Sequence, residues 1–308
     1  MTPLRFGSAV CGGLVCLSFW LASTASQAQV ALRWKFQPGQ TYTQVVKQEL
    51  STTAMIGPQV VDTKIVQTLD ARWRVRSVND QGVAEIDQEF DRLQLSMQGA
   101  GGLSIDFDSK AAEPTAGIAR LVAPALKVIA NSKFKSKISS RGEIIDIQLL
   151  EQPGNAIQAI PGLGQLITKD SLVSMIKASL YPLPANAVGP GDSWTSKVEH
   201  QLPQIGKMIE EFQLTYVGPE TVDGKPLHRV DLAVNTRIPV DPAKAADVKF
   251  AIKEQMTKGM LLFDQEAGVM DRFERASKMV IDVEAQGKVF SQTTNQTVTA
   301  QFKLMPPQ

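Results

Sequence analysis

The sequence predicts an α+β fold dominated by long antiparallel strands. Two related β units form one large curved sheet, with helices from 115–130 and 154–181 packed on its concave face. Three observations predict this. The stretch "PGQTYTQVVKQEL" (Pro38 to Leu50) returns in related form as "PGDSWTSKVEHQL" (Pro190 to Leu202). Apolar and polar residues alternate along most of the chain, the period of a strand with one face inward. Two stretches break that alternation with apolar residues three and four apart, the period of a helix.

Residues 1–28 read as a secretory signal. Arg5 supplies the positive start, Ala9 to Ala22 an apolar run too short to span a membrane comfortably, and Ser26 and Ala28 the small residues of a cleavage site. Cleavage is expected after Ala28, with Ala25 as the alternative. Both cysteines, Cys11 and Cys16, lie in this segment, and each follows a valine rather than the small residue of a lipidation site. The mature chain then has no cysteine, which removes disulfides, thiol catalysis and Cys-ligated metals. Without Arg5 the 31 acidic residues meet an equal number of basic ones. A neutral, evenly mixed chain is not a nucleic-acid binder by field strength. No later segment is apolar enough to span a bilayer, so an exported, periplasmic or secreted product is expected.

The first β unit covers 29–150. Pro-Gly fits the centre of a type II turn, with Gly39 at positive φ. It launches a strand whose inward phase is Tyr42, Gln44, Val46, Gln48 and Leu50. In the second unit, 190–308, Gly191 and the phase Trp194, Ser196, Val198, His200, Leu202 repeat the pattern. Tyr42 and Trp194 are thus expected as equivalent core anchors, and Gly39 and Gly191 as equivalent turn residues. "RWRVRSVNDQGVAEIDQEF", turning at Asn79 to Gly82, corresponds to "EFQLTYVGPETVDGKPLHRVDL", turning through Gly218 to Lys225. "KFKSKISSRGEIIDIQ" corresponds to "MLLFDQEAGVMDRFE", with Gly142 and Gly268 at the turns. Three correspondences in one order argue for duplication.

Ile118, Leu121, Val122, Ala125, Leu126 and Ile129 form one helical face inserted in the first unit, and Pro124 should kink or divide that helix. Residues 151–189 form a helical crossover, clearest at Leu172, Val173, Ile176 and Leu180, followed by the stiff "YPLPANAVGP". The 242–258 stretch reads as a short turn and then a strand. Val298, Ala300, Phe302 and Leu304 share one phase of the last strand.

No catalytic, cofactor-binding or metal-binding residue is assigned. His200 and His228 sit on apolar phases of distant strands, without HxH or HExxH spacing, and read as satisfied side chains. GxSxG, SxxK with partners and the aspartic-protease loop are absent. Asp106 and Asp108 share a strand face but lack the twelve-position calcium loop. Arg72, Arg74 and Arg76 point to one face opposite Trp73 and Val75, an outward basic strand rather than a docking patch. Asn295 opens a sequon that matters only in a eukaryotic secretory route.

Three motifs recur together: F-x-PGQ-x-Y (Phe36 to Tyr42), V-GPGDSW (Val188 to Trp194) and G-x-LLFD-x-x-x-G (Gly259 to Gly268). In these the chain resembles a family of exported bacterial proteins of unknown function, a resemblance that spans most of the mature chain and implies no activity. The function expected from the residues is non-catalytic binding of an apolar or lipid ligand, or a lipidated partner, between sheet and helices. A structural or protein-interaction module of the cell envelope is the other reading.

Overall fold

The computed structural model describes residues 29–56, 58–150, 173, 176, 180–202, 206–239, 248–285 and 288–306. Residues 1–28, expected as a signal, and nearly all of 154–179 lie outside these residues. Strands β1 (Thr41–Ile56), β2 (Gln59–Val78), β3 (Ala84–Gln98), β4 (Ser104–Asp108), β5 (Lys133–Ile138) and β6 (Ile144–Leu149) come from the first half. Strands β7 (Ser193–Leu202), β8 (Gly206–Val222), β9 (Lys225–Arg237), β10 (Val248–Asp264), β11 (Val269–Ala285) and β12 (Lys288–Leu304) come from the second. All pair antiparallel in one sheet, ordered β6-β5-β3-β2-β1-β12-β11-β10-β9-β8-β7, with β4 beside β3. β1 meets β12 at the centre. The first half advances from there to one edge, and the second advances from the other edge back to the centre.

The sheet is strongly curled. Along its order β8 is seven steps from β3, about 34 Å in a flat sheet at about 4.8 Å per step. Yet Phe90 of β3 and Phe212 of β8 line one small cavity. Likewise Arg275 of β11 and Glu210 of β8, three steps apart, form an ion pair at 3.7 Å. A trough with a single concave apolar face satisfies both contacts.

The α+β expectation is corrected here: the fold is mostly β. Among the described residues one complete helix, α1 (Gly117–Ala130), stands against twelve strands. It packs chiefly against β3 and β4, at one flank of the sheet. Val122, Ala123, Ala125, Leu126 and Ala130 are buried, while Ile118 and Leu121 of the expected stripe face outward. A 14-residue helix spans about 21 Å, too little to roof a twelve-stranded trough. Pro124 does not divide it.

Extended chain, not helix, closes one end of the trough. Val30 to Phe36 alternates, with Leu32, Trp34 and Phe36 buried and Ala31 and Lys35 exposed. This strap passes between two hairpin turns. The Trp34 amide donates to Ser140 O at 2.7 Å, and the Lys35 amide to Gly268 O at 2.9 Å. Both turns carry a glycine against the strap. A Cβ on Gly142 would lie 2.8 Å from Trp34 Nε1, and one on Gly268 would lie 2.3 Å from Lys35 Cβ. The proline-rich linker knits to the same strap, with Val30 bridging Val188 and the Arg33 guanidinium donating to Pro184 O at 2.7 Å.

The turn geometry of the two halves matches in detail. Gly39 (φ 84) donates to Val75 O, and the Val75 amide donates to Gln40 O. Gly191 (φ 91) donates to Tyr216 O, and the Tyr216 amide donates to Asp192 O. Tyr42 and Trp194 differ in setting. Tyr42 is fully buried in a central strand, whereas Trp194 is half-buried on edge strand β7, its indole N–H donating to Pro182 O at 2.8 Å. The β8–β9 hairpin turns on two residues, Asp223 (φ 53) and Gly224 (φ 78), as a primed turn does. Gly218, expected within that turn, instead sits at a bulge inside β8.

Candidate functional site: the hollow of the trough

Antiparallel register stacks the concave face in rungs. At the closed end Trp34 stacks on Phe36 and meets Phe263 and Phe302 edge-on, while Trp73 packs against Phe302. This aromatic floor fills one end of the trough. Above it, Ala71, Gln44 and Phe302 form the first rung, and Leu69, Val46, Ala300 and Phe273 the second. The third rung holds Gln67, Gln48, Val298, Arg275 and Gly259. A cavity of about 250 Å³ occupies these rungs, with Val198, Phe212, Ile176, Leu180 and Tyr181 closing its far side.

Its wall mixes apolar side chains with Gln44, Gln48 and Gln67 on one side and a polar cluster around Arg275 on the other. The Tyr181 ring stacks on Phe273 with centroids 4.6 Å apart and meets Phe212 edge-on at 5.3 Å. Arg275 lies beside the Tyr181 hydroxyl. It donates through Nη2 to Gln296 Oε1 at 3.2 Å and pairs through Nη1 with Glu210. The Arg275 and Glu210 side chains are only 15% and 18% exposed, so they are largely dry and cancel in charge. Two donors on the wall remain unmet among the described residues: Nε of Arg275 and Nε2 of Gln44, the latter residue 4% exposed. Beside Arg275 the sheet requires glycine at 259, because a Cβ there would lie 2.4 Å from Glu274 O and 3.2 Å from Arg275 Cα.

Residues singled out from sequence fall elsewhere. His228 receives or donates one hydrogen bond with the Tyr216 hydroxyl at 2.7 Å, and burial lowers its pKa. Here the reading of a satisfied histidine fits. His200 pairs with Met208 along β7. Asp108 is held to about pKa 2, first by its paired hydrogen bonds from Arg92 and then by the Lys110 amide. Asp106 accepts from Ser96. Arg72 and Arg76 face outward and pair with Glu89, Asp91 and Asp87 on β3. Among the described residues no group of three His, Cys, Asp or Glu could hold a metal. None of the described helices is long and apolar enough to cross a membrane.

A family model matches residues 81–268, more than half of the chain. The chain belongs to DUF6263, a family of unknown function. No curated protein matches its sequence. Among solved structures, lipovitellin aligns over 88% of the chain at 11% identity with a TM-score of 0.46, and the chain spans 26% of the lipovitellin chain. A protein of Bacteroides fragilis NCTC 9343 with a YmcC-like fold aligns over 90% of this chain and 100% of its own, at 12% identity and TM-score 0.30. An outer membrane channel of Pseudomonas putida F1 covers 88% and 97%, at 8% identity and TM-score 0.23. The DUF6263 match ends on Gly268, the turn glycine that carries the strap. Within it, Asp264 Oδ1 accepts from the Ala267 amide, so the LLFD aspartate caps its own turn.

All three tyrosines of this DUF6263 chain are shielded. Burial pushes Tyr42 and Tyr181 up to about pKa 12, and it raises Tyr216 as well. Because the folded pKa lies above the unfolded one, this stabilisation is complete below pH 10 and is lost as pH climbs towards 12. At pH 10.5 the native protein should show clearly less tyrosinate absorbance at 295 nm than urea-unfolded protein, because Tyr42 and Tyr181 stay protonated. Equal absorbance in the two states would contradict the burial of these rings.

Proposed function

We propose that this chain is an exported, non-catalytic binder of an apolar ligand, held in the hollow of its curled sheet. The observation that carries the reading is the cavity itself. Tightly packed interiors contain few voids larger than a water molecule, and apolar cavities stay dry and take up apolar guests. Here about 250 Å³ of mostly apolar space sits above a sealed aromatic floor. Purified protein, extracted into organic solvent and analysed by mass spectrometry, should release a small apolar or amphiphilic compound. A clean extract, together with no displacement of a bound apolar dye by any small hydrophobe, ends this reading.

The same proposal takes residues 1–28 as a cleaved signal, and 29–150 and 190–308 as two copies of one β unit joined by 151–189. Supporting the duplication are the matched hydrogen bonds of Gly39 and Gly191, the paired strap glycines Gly142 and Gly268, and the common direction in which both halves advance across the sheet. A second reading, an interaction module of the cell envelope, is favoured by one feature: β6 and β7 are the terminal strands of the sheet order, and edge strands can template pairing. Cross-linking in intact cells would then return a protein neighbour attached at β6 or β7.

A further inference from the structure

We propose that the hollow takes a single-chain amphiphile with an uncharged hydroxyl head, its tail towards the aromatic floor and its head between the carboxamides of Gln48 and Gln67. This rests on the ligand-binding reading above and specifies the guest's chemistry and direction. Size limits the guest first. A cavity of about 150 Å³ takes benzene, so about 250 Å³ holds on the order of ten heavy atoms, one medium chain rather than a diacyl lipid.

Depth sorts the wall by polarity. The aromatic floor closes the inner end, and the second rung, Leu69, Val46, Ala300 and Phe273, is apolar throughout. In the third rung Gln67, Gln48 and Arg275 line the cavity, with Val298 as the apolar exception. Gln296, one rung farther out opposite Leu50, lines it as well. A guest that matches this order is apolar at its inner end and polar at its outer end. Gln44 lies below the apolar band, where a head would give up all its water for a single unmet amide nitrogen. At the third rung two carboxamides replace that water, so the desolvation cost is smaller.

Register brings the two carboxamides together. Gln48 of β1 is the direct antiparallel partner of Gln67 of β2, and side chains so opposed start from Cβ atoms about 4.5–5.5 Å apart. One guest oxygen therefore reaches both. Both side chains are partly buried on the cavity wall, and among the described residues neither carboxamide has a hydrogen-bond partner. A carboxamide offers an acceptor oxygen and a donor nitrogen. A hydroxyl donates to the oxygen of one and accepts from the nitrogen of the other, whereas an ester or a carboxylate only accepts. Charge counts against the carboxylate a second time. Arg275, the cation on this wall, already pairs with Glu210 and donates to Gln296, so a guest anion would find its charge uncompensated.

The test displaces Nile red from the purified full chain with three guests of similar size: straight-chain nonanol, octanoate and butylbenzene. At pH 7.5 the alcohol should bind about tenfold more tightly than either of the others, the worth of one or two net hydrogen bonds. Gln48→Leu combined with Gln67→Leu should remove that advantage and leave butylbenzene bound at least as tightly. Each single change should give part of the loss, which keeps the test open should the double variant fold poorly. If alcohol and butylbenzene bind equally to the parent, the carboxamides do not read the guest: the hydroxyl proposal falls and the apolar-ligand reading stands. If Gln44→Met abolishes the preference for alcohol and the Gln48 and Gln67 changes do not, the head points inward and the proposed direction is wrong. Tightest binding by octanoate would overturn the choice of an uncharged head. If none of the three displaces the dye, the hollow is no binding site and both readings fall.

Discussion

Replacing Gly268 with alanine should destabilise the protein by about 3 kcal/mol or more, one of the largest effects expected of any single methyl group in this chain. Two costs add at this residue. Its φ of 64° lies in the left-handed region, where an L side chain costs about 1–2 kcal/mol. The new Cβ would also sit 2.3 Å from Cβ and Cγ of Lys35 and 2.6 Å from its backbone nitrogen. Those atoms cannot swing aside, because the Lys35 amide donates to Gly268 O and its ammonium to Gln265 O at 2.7 Å. The strap would have to lift, taking Trp34 and Phe36 from the floor. Gly39 supplies the control. Its φ is 84°, but nothing lies within 4 Å of its missing Cβ, so Gly39→Ala should show the backbone cost alone, about 1 kcal/mol. Urea denaturation midpoints of the two variants measure the difference. Equal midpoints would mean that the strap does not dictate glycine at 268.

Local grammar made much of this fold legible. Alternation placed the inward phases of β1 and β12, and the glycines at 39, 82, 142, 191 and 268 all took the positive φ that turns demand. Strand β10 begins at Val248, within the stretch read as turn and then strand. The errors lay where long-range geometry decides. The stripe from Ile118 to Ile129 has helical spacing but cannot say how much sheet the helix will cover. Alternation cannot say that β3 and β8 will face one another, and only that curl creates a hollow. Arg275 sits in "FERAS", where its spacing matches any outward-facing charge. It lies inward because Phe273, two residues earlier, faces the floor side of the same phase. Gln44 was read as inward, yet nothing local shows that its amide will lack a partner. The strap was missed although a signal existed: Val30, Leu32, Trp34 and Phe36 alternate with Ala31, Arg33 and Lys35 just ahead of the first turn.

Truncating Trp34 to alanine should cost about 3–5 kcal/mol, the usual toll for emptying a buried aromatic site. The ring is the hub of the floor, stacked on Phe36 at 5.1 Å and edge-on to Phe263 at 6.1 Å and Phe302 at 5.6 Å. These partners come from the strap, β10 and β12, so no single neighbour can collapse into the space. The loss also reaches the hollow. Phe302 belongs to the rung of Gln44, directly beneath the cavity, and packs on both Trp34 and Trp73. Removing Trp34 deepens the cavity from below, and the protein that remains folded should accept longer chains. Straight-chain undecanol, too long for the native hollow, should gain at least as much affinity for Trp34→Ala as nonanol loses. Trp34→Phe keeps an aromatic floor, so it should recover most of the stability and restore the preference for the shorter chain. Were Trp34→Ala as stable as the parent and unchanged in chain-length preference, the strap would be an ornament of the fold. The large loss with a shifted preference would instead show that extended chain at 30–36 does the work first expected of helices, sealing one end of the trough and setting how deep a guest can sit.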